Sequence, residues 1–442
     1  MLLLSSELGS GHARAARAVE LALLQQAPEA AVRTLDLWSL MNASVANAVR
    51  QTYLRLVQEH PDLYERIYRL DERTWRRVIE GDEPAPRALS EGVERITAMF
   101  AQGPALAPYV GRYPLDCALL PLLCAAMPSG TRTLPWNGAL MRLPLLHWIW
   151  ARLARRLARR LLAFEPDVVV ATQMIPAALL SSVKQRRGLA VPSIGVPTDF
   201  GVHDFWIQPG TDFHCVAHES LLESRRPAIA AASMRVTGVP LMPGFARPPT
   251  PAQARAELEL DPGRPTVLVL GGGLGLGVDA VAARLQAQLR DAQLLVMVGR
   301  NRPARAALSA RASGRERALR VFGWTEQMQT FIRAADVVVG KPGGLAVAEV
   351  LACGRPLLAT RSLGGQEGFN ARFLEQQGVG RLVSEDELPA CVEAWLATPD
   401  ELARLQGRAW AVGRRDGAAR VAEMALEFAT SPSAAVEAVE RR

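Results

Sequence analysis

The sequence predicts an α/β protein with two doubly wound domains that face each other across a cleft. Short apolar runs alternate with helical patterns along most of the chain, which is typical of parallel strands joined by crossover helices. Two of these runs, Leu2–Ser5 and Thr266–Leu270, lead into a glycine-rich turn and then a helix. A proline-rich stretch separates the two halves, as is typical of a linker between domains.

Each half is expected to form its own parallel sheet. The strands predicted in the first half are residues 2–5, 32–35, 168–171, 193–196 and 235–236. Those predicted in the second half are residues 266–270, 294–298, 336–339, 356–359 and 380–383. The resulting domains are residues 1–242 and 266–442, joined by a linker over 243–265, and the last helix can pack back on the first domain. Residues 43 to about 162 interrupt the alternation and are too long for a simple connection, which indicates a substrate-specific insertion.

The composition is that of a globular protein. The chain has 442 residues, of which 49% are hydrophobic and 21% charged, and these values exclude a disordered, collagen-like or coiled-coil chain. Its five cysteines show no CxxC or Cys/His spacing, so neither disulfides nor a zinc site is expected, and a reducing cytosol suits the chain. We expect neither a signal peptide nor a membrane-spanning helix, because the first residues lack a basic region and charges interrupt the apolar stretches.

The net charge of +7 is concentrated in one region of the first half. Residues 117–164 contain seven arginines and no acidic residue, so the rest of the chain is neutral by count. On a helical wheel the apolar residues between 146 and 161 share one side, and the opposite side carries Arg152, Arg155, Arg156 and Arg159. This pattern predicts contact with an anionic membrane surface. The alternative is a solvated arginine face whose apolar side packs in the domain core.

Two glycine-rich turns of the second half are candidate phosphate sites. Residues 271–277 follow an apolar strand and precede a helix, where backbone N–H groups favour an anion. The next strand ends without the acid that a dinucleotide ribose needs, which disfavours a dehydrogenase and leaves an NADP enzyme or plain turn packing as alternatives. Residues 340–344 form the second turn, and residues 364–370 follow the next strand. Their amide and carboxylate groups are expected at the same edge of the sheet, where they suit a nucleotide sugar.

Six motifs occur in order between about residue 2 and residue 380. They are Gly9-Ser10-Gly11-His12, Pro197-Thr198-Asp199-Phe200 with His203 and Trp206, Val236-Thr237-Gly238-Val239-Pro240, Val321-Phe322-Gly323-Trp324, Lys341-Pro342-Gly343-Gly344-Leu345, and Gly365-Gln366-Glu367 with Asn370. Together they resemble the motifs of the monogalactosyldiacylglycerol synthase and diacylglycerol glucosyltransferase family, which is related to the lipid II N-acetylglucosaminyltransferase. The sequence departs from the pattern at Ser10, where a glycine is frequent, and at Ala346, where a small hydroxyl residue is frequent.

The resemblance implies a GT-B fold, in which two Rossmann-like doubly wound domains face a cleft. It also implies a UDP-sugar donor in the C-terminal domain, a lipid acceptor toward the N-terminal domain, and inverting transfer without a metal. The donor-binding residues are expected to be Gly271, Gly272, Gly273, Phe322, Trp324, Lys341, Gly343, Gly344, Gln366, Glu367 and Asn370. The acceptor-binding residues are expected to be Gly11, Thr198, His203 and Trp206.

An inverting transfer needs a base near the acceptor hydroxyl. His12 is the first candidate, since an imidazole accepts a proton near neutral pH, and packing or capping of the first helix is its alternative role. Asp199 is the second candidate, as a base or to orient the acceptor, with a turn or a helix cap as its alternative. Phe322 and Trp324 are expected to flank the uracil, or else to pack in the core.

These expectations combine into one function. The chain is predicted to move galactose or glucose from a UDP-hexose to diacylglycerol, as a cytoplasmic enzyme that is peripheral on the inner face of the cell membrane. No cofactor is expected beyond the UDP-sugar as co-substrate. The alternatives are another lipid or polyprenyl-linked acceptor, and a sugar-nucleotide-binding protein without catalysis. No nucleic-acid partner is expected, because the sequence has no recognisable RNA- or DNA-binding module.

Overall fold

Two parallel sheets form the framework of the computed structural model. The structure describes residues 1–7, 10–41, 46–47, 50, 138–222, 233–275, 277–289, 291–312, 319–360 and 366–430. Within these ranges each sheet has six strands, and every strand pair is parallel. The predicted α/β class is confirmed. Most of the predicted insertion, residues 51–137, lies outside the described residues, as do Gly9 and Gly365.

The first sheet belongs to the N-terminal half. Its strands are β1 (Leu2–Ser5), β2 (Arg33–Asp36), β3 (Val169–Ala171), β4 (Ser193–Gly195), β5 (Phe213–Val216) and β6 (Met234–Val236), in the spatial order β2-β1-β3-β4-β5-β6. The helices of this half are α1 (Ser10–Gln26), α2 (Gly138–Phe164) and α3 (Met174–Arg187). Because β2 and β3 flank β1, the order of the strands reverses there. Doubly wound sheets bind ligands at the carboxyl ends of the strands at such a reversal.

The second sheet belongs to the C-terminal half. Its strands are β7 (Thr266–Leu270), β8 (Gln293–Met297), β9 (Leu319–Phe322), β10 (Val337–Gly340), β11 (Leu357–Ala359) and β12 (Gly380–Leu382), in the order β12-β11-β10-β7-β8-β9. The helices are α4 (Pro251–Glu257), α5 (Val278–Gln288), α6 (Arg302–Ala312), α7 (Met328–Ala334), α8 (Gly344–Ala352), α9 (Gln366–Gln376), α10 (Leu388–Ala397) and α11 (Pro399–Val412). Here the strand order reverses between β7 and β10. The two predicted phosphate turns follow these two strands.

Continuous apolar runs explain the central strands. Every residue of β1, β7 and β8 is buried, since helices cover both faces of a parallel sheet. The ten predicted strands agree with observed strands to within one residue at each end. The sequence patterns did not predict β5 and β9. Their runs are interrupted by His214 and Arg320, so neither shows the apolar signal of a central strand.

The chain crosses between the two halves through the linker and again after α11. In the linker, Phe245 is fully buried, and Thr250 and Gln253 form a capping box that begins α4. The last described helix, α12 (Gly417–Thr430), returns to the first half and packs on α1. There Phe428 stacks on Phe213 with ring centroids 4.6 Å apart. The last helix thus completes the core beneath the first sheet.

Helix α2 carries the basic region, and its apolar side faces inward from residue 150 onward. The buried residues of that side are Trp150, Leu153, Leu157 and Leu161. The arginines differ in exposure: Arg155, Arg159 and Arg160 are exposed, whereas Arg152 and Arg156 are half-buried. Arg156 donates a hydrogen bond to the carbonyl of Leu40. The apolar side therefore packs in the domain core, as the alternative interpretation of this pattern expected. In the described part of the chain, no helix is long and apolar enough to cross a membrane.

Candidate active site

The strand reversals of the two sheets face each other. In the first sheet, α1 begins just after β1 and carries Gly11 and His12, and Thr172 directly follows β3. In the second sheet, Gly344 begins α8 directly after the turn that follows β10. Gly344 lies so close to Thr198 of the first half that a β-carbon on it would overlap the carbonyl oxygen of Thr198. The predicted catalytic and donor-binding turns are thus brought together.

His12 lies in the first turn of α1 and is held by its Nδ1 atom. This atom is 3.0 Å from the carbonyl oxygen of Thr172 and 3.2 Å from the hydroxyl oxygen of Thr198. Because a carbonyl oxygen only accepts, the contact places the hydrogen on Nδ1 and the lone pair on Nε2. Burial lowers the pKa of His12, although the charge of Asp199 and the Thr172 carbonyl raise it. The ring is therefore neutral at neutral pH, with Nε2 able to accept a proton.

Asp199 is buried at the boundary between the two halves. Its Oδ1 atom accepts a hydrogen bond of 2.9 Å from Nδ2 of Asn370, and the backbone N–H of Gly344 also donates to the carboxylate. Burial raises the pKa of Asp199, while the Asn370 amide, the charge of His12 and the Gly344 N–H lower it. The carboxylate lies at the N-terminus of α8, where the helix dipole favours negative charge.

Asn370, predicted as a donor ligand, is enclosed by protein groups. It lies in α9 and has no exposed surface. Its Nδ2 atom donates to Asp199 and to the carbonyl of Pro342, both at 2.9 Å. Its Oδ1 atom accepts from the backbone N–H of Phe200 at 2.7 Å. Both amide hydrogens are therefore used within the protein.

The glycines of the two donor turns differ in their surroundings. Gly271 is tightly enclosed, since a β-carbon there would lie 2.8 Å from the carbonyl oxygen of Met297. By contrast, Gly272 and Gly343 have open space where a β-carbon would stand. Gly272 also has a φ of 63°, in the left-handed region that favours glycine. Gly271 thus serves packing, whereas the other two leave their backbone open to a ligand.

Trp324 follows β9 and lies between arginines from both halves. Its side chain is 41% exposed, and the guanidinium groups of Arg14 and Arg300 lie 5.3 Å and 4.7 Å from its ring centroid. Cations at this distance are attracted to the face of an indole ring. Phe322 is instead half-buried and packs edge-on against Phe331, with ring centroids 4.8 Å apart. Trp324 is thus the more accessible of the two predicted uracil contacts.

Glu349 is a further candidate that the motifs did not single out. It lies in α8 and is 7% exposed, with Oε1 3.5 Å from Nη2 of Arg14. Burial raises the pKa of Glu349 to about 7, against the opposing effect of Arg14. Since Arg14 also contacts Trp324, this carboxyl belongs to the same site. The sequence does carry a signal, namely a single acid within the otherwise apolar helix α8.

The remaining predicted residues lie at the edge of the second sheet or inside the first domain. Half-buried at the carboxyl edge of the second sheet are Gly273, Lys341, Gln366 and Glu367. In the first domain, Nδ1 of His203 accepts the N–H of Phe205 at 3.1 Å, and Trp206 is 2% exposed. His203 thus stabilises a turn and Trp206 packs in the core, whereas Gly11 and Thr198 lie beside His12.

Two family models match this chain. Residues 145–241 match monogalactosyldiacylglycerol (MGDG) synthase, and residues 266–401 match the glycosyltransferase family 28 C-terminal domain. The chain carries both of these glycosyltransferase domains. The resemblance predicted from the six motifs is thereby confirmed. The second domain contains the whole of the sheet that holds the donor turns.

Two curated relatives share a name. The processive diacylglycerol beta-glucosyltransferase of Bacillus subtilis (strain 168) is 28% identical over 261 residues, which is 57% of this chain and 66% of the relative. That of Staphylococcus aureus (strain Newman) is 26% identical over 249 residues, covering 56% of this chain and 63% of the relative. The matches thus span just under two thirds of each relative. The structure of MurG from Acinetobacter baumannii is similar with a TM-score of 0.50 at 15% identity, covering 66% of this chain and 82% of MurG. This likeness concerns the fold, and the predicted GT-B fold is confirmed.

Proposed function

We propose that the two glycosyltransferase domains move a hexose from a UDP-sugar to diacylglycerol, with inversion at the anomeric carbon and without a metal ion. One observation carries the proposal: His12 and Asp199 of the first domain meet the N-terminus of α8 of the second. The names of the two curated relatives support the lipid acceptor and the hexose.

His12 supplies the base in this mechanism. Its neutral ring takes the proton of the acceptor hydroxyl at Nε2 while the hydroxyl oxygen attacks the anomeric carbon and the bond to the UDP oxygen breaks. Asp199 stabilises the imidazolium that forms, since the two charges are then opposite. Attack on the face opposite UDP inverts the configuration. A general base of this kind contributes on the order of 10²–10⁴-fold to the rate.

The second domain stabilises the departing UDP. The open backbone at Gly343 and the backbone N–H groups that follow Gly344 in the first turn of α8 favour a diphosphate, whereas the Gly344 N–H itself donates to Asp199. Lys341 belongs to the same turn, and Arg14 and Arg300 flank Trp324. Fixed cations and N–H groups near a leaving group stabilise its developing charge without reorganisation. In the proposed reaction these cations and N–H groups neutralise the diphosphate charge, so that no metal ion is included.

The transfer is tested with vesicles that contain diacylglycerol and a polyprenyl-linked lipid. The purified protein is incubated separately with labelled UDP-glucose, UDP-galactose and UDP-N-acetylglucosamine, with and without EDTA. We expect a labelled glycosyldiacylglycerol from a UDP-hexose, in equal yield with the chelator. Label on the polyprenyl-linked lipid alone would replace diacylglycerol as the acceptor. Binding of UDP without transfer to any lipid would contradict an enzymatic function.

The role of His12 is tested by the substitution His12→Ala. We expect kcat to fall on the order of 10²–10⁴-fold while UDP affinity, followed by tryptophan fluorescence, stays the same. Arg17→Ala is a matched control, because Arg17 lies on the same helix with its side chain exposed and paired to Glu20. It is expected to change neither quantity. A loss of UDP affinity equal to the loss of kcat would argue against a base.

We also propose that the exposed arginines of α2 hold the enzyme at the inner face of the cell membrane. The helix presents Arg155, Arg159 and Arg160 outward while its apolar side lies in the core. Contact with lipid at this part of the helix is therefore mainly electrostatic, with an apolar contribution from Leu162, which is 58% exposed. Each basic residue near an anionic leaflet contributes about 1 kcal/mol to binding.

This contact is tested by comparing two pairs of exposed arginines. Arg155→Gln with Arg159→Gln removes two charges from α2, and Arg186→Gln with Arg187→Gln removes two from the end of α3. The α2 pair is expected to weaken binding to phosphatidylglycerol-containing vesicles about 30-fold at low salt, and the α3 pair to leave it unchanged. Equal effects of the two pairs would contradict a contact through α2.

A further inference from the structure

Residues 198–201 of the first domain are docked on the second domain. Phe200 stacks on Phe373 of α9, with ring centroids 4.2 Å apart and ring planes 24° apart. Gly201 lies against Phe369, where a β-carbon would come within 2.6 Å of the Phe369 β-carbon. The first backbone N–H of α8 adds a hydrogen bond to the carboxylate of this segment. The segment is thus held against the starts of α8 and α9.

Asn370 connects the segment to both of these helices. Its amide oxygen accepts from the Phe200 N–H, and its amide nitrogen donates to Asp199 and to the carbonyl of Pro342, which lies just before α8. Only one orientation of the amide fits these partners. The reversed amide would bring N–H groups together at Phe200 and turn its oxygen toward a carboxylate and a carbonyl. The amide is therefore fixed by its contacts within the protein.

We propose that Asn370 is a positioning residue for the transfer reaction, which holds the Asp199 carboxylate beside His12 while the two domains are closed. This inference rests on the proposed function, in which Asp199 acts through His12. It replaces the donor-binding role that the sequence motif predicted for Asn370. The link spans the two domains, so Asp199 has its full set of partners only when they meet.

The contact has a consequence for the charge of Asp199. An N–H donated to a carboxylate stabilises the ionised form. Burial raises the pKa of Asp199, and the Asn370 amide is the largest influence that lowers it. Without the amide, the pKa of Asp199 rises further. The acidic limb of the rate profile, which requires both a neutral His12 and an ionised Asp199, then moves to higher pH.

The experiment compares Asn370→Ala and Asn370→Asp with the wild type, measuring kcat, the KM for the UDP-sugar and the pH profile of kcat. We expect kcat to fall about 10- to 100-fold, with the donor KM within about twofold of the wild type. The acidic limb is expected to move up by about one pH unit. Asn370→Asp should move it further, because it places a second carboxylate next to Asp199.

Two further variants separate positioning from binding. Glu367→Gln removes a charge from a proposed donor ligand and is expected to raise the donor KM without moving the pH profile. Gln376→Ala removes an exposed amide from the same helix as Asn370 and is expected to change nothing. Glu367→Gln thus shows the effect of a lost donor contact, and Gln376→Ala shows the effect of a neutral change on the same helix.

The outcomes are distinct. An Asn370 variant with a raised donor KM, an unchanged kcat and an unmoved acidic limb would overturn the inference and leave the proposed function standing. A wild-type protein that transfers no sugar would overturn the proposed function itself. If thermal unfolding shows that Asn370→Ala does not fold, the pH profile of Asn370→Asp decides, because that side chain fills the same space, still accepts from the Phe200 N–H and, when protonated, donates to Asp199.

Discussion

Two buried carboxylates lie where the domains meet, and the structure supports them differently. Asp199 receives hydrogen bonds from the Asn370 amide and the Gly344 N–H, and it lies beside His12. For Glu349 the described residues supply a single ion pair, with Arg14 at 3.5 Å. Burial raises the pKa of both groups, and that of Glu349 reaches about 7.

The difference is that Asp199 is held in a fixed position, whereas Glu349 can still accept further hydrogen bonds. Asp199 is held in one place by donors from the second domain, which suits a constant part in proton transfer. Glu349 retains acceptor capacity next to Arg14, which in turn contacts the exposed ring of Trp324. A ligand whose hydroxyl groups donate hydrogen bonds to Glu349 would offset the free-energy cost of burying that carboxyl. Substitutions at the Asp199 contact and at the Glu349 contact are therefore expected to have different effects.

The largest expected effect comes from forcing the Asp199 contact apart. In Gly344→Ala, the added β-carbon would overlap the Thr198 carbonyl oxygen and a carboxylate oxygen of Asp199. Such overpacking costs about 1–3 kcal/mol of stability, and a displaced catalytic group loses about 100-fold in rate. Melting temperature and kcat measure the two effects.

Gly343→Ala is the matched control for stability. The neighbouring Gly343 has no atom within 4 Å of the place where a β-carbon would stand, and its backbone is extended. The variant is therefore expected to keep the wild-type melting temperature. If both alanine variants are destabilised to a similar extent, the close approach of Gly344 to Asp199 is not the reason why Gly344→Ala is destabilised.

A smaller effect is expected from the Glu349 contact, and it depends on pH. The pKa of this carboxyl is raised from 4.5 to about 7 in the folded protein, so its contribution to stability is present below pH 4.5 and is lost as the pH rises through 7. The loss amounts to up to about 3 kcal/mol. Glu349→Gln removes the ionisable carboxyl and with it this loss of stability. The variant is expected to be more stable than the wild type at pH 8 but hardly so at pH 4.5.

Urea unfolding at the two pH values measures this difference. Glu393→Gln is the control, because it also replaces a glutamate by its amide, but at an exposed position on α10. A stability of Glu349→Gln that falls between pH 4.5 and 8 as steeply as that of the wild type would show that the burial of Glu349 does not set this dependence.

The smallest of these effects concerns ligand binding at Trp324. Trp324→Ala is expected to weaken UDP binding about 10-fold, since stacking of a base on an aromatic ring contributes about 1–3 kcal/mol. Trp410 offers a close match: it is also 41% exposed, with Arg333 and Arg415 at 5.1 Å and 3.9 Å from its ring. It contacts Gly354, just before β11, at the opposite edge of the second sheet.

Calorimetric titration with UDP distinguishes the two tryptophans. Trp410→Ala is expected to bind UDP with wild-type affinity. If both variants lose affinity for UDP equally, a tryptophan flanked by arginines stabilises the domain in general, and Trp324 does not contact the donor.

Much of the fold follows from the sequence, because apolar runs report directly on burial in a parallel sheet. The runs at β1 and β7 are each followed in the sequence by a glycine-rich motif, and these motifs locate the two edges at which the ligands are proposed to bind. Strand β5 escaped prediction because His214 interrupts its run. That side chain is nevertheless buried and bonded through Nε2 to the carbonyl of Trp206.

The candidate site was harder to predict because its residues depend on partners far along the chain. The motif places Asn370 near the donor turn, but no local pattern indicates that its amide bonds to Asp199. Glu349 presents the opposite case. A single acid within an apolar helix is visible in the sequence, whereas the pairing with Arg14 that gives it meaning is visible only in three dimensions.

The return of α12 to the first domain has a consequence for biosynthesis. The side chains of Val421, Met424 and Phe428 fill one core together with Phe213 and Cys215, which are made some 200 residues earlier. During synthesis the first domain therefore emerges from the ribosome with this core unfilled, and the core is completed only after the second domain has emerged. Loss of α12 leaves that apolar surface uncovered, so we expect premature termination to yield a chain that aggregates rather than a separately folded first domain.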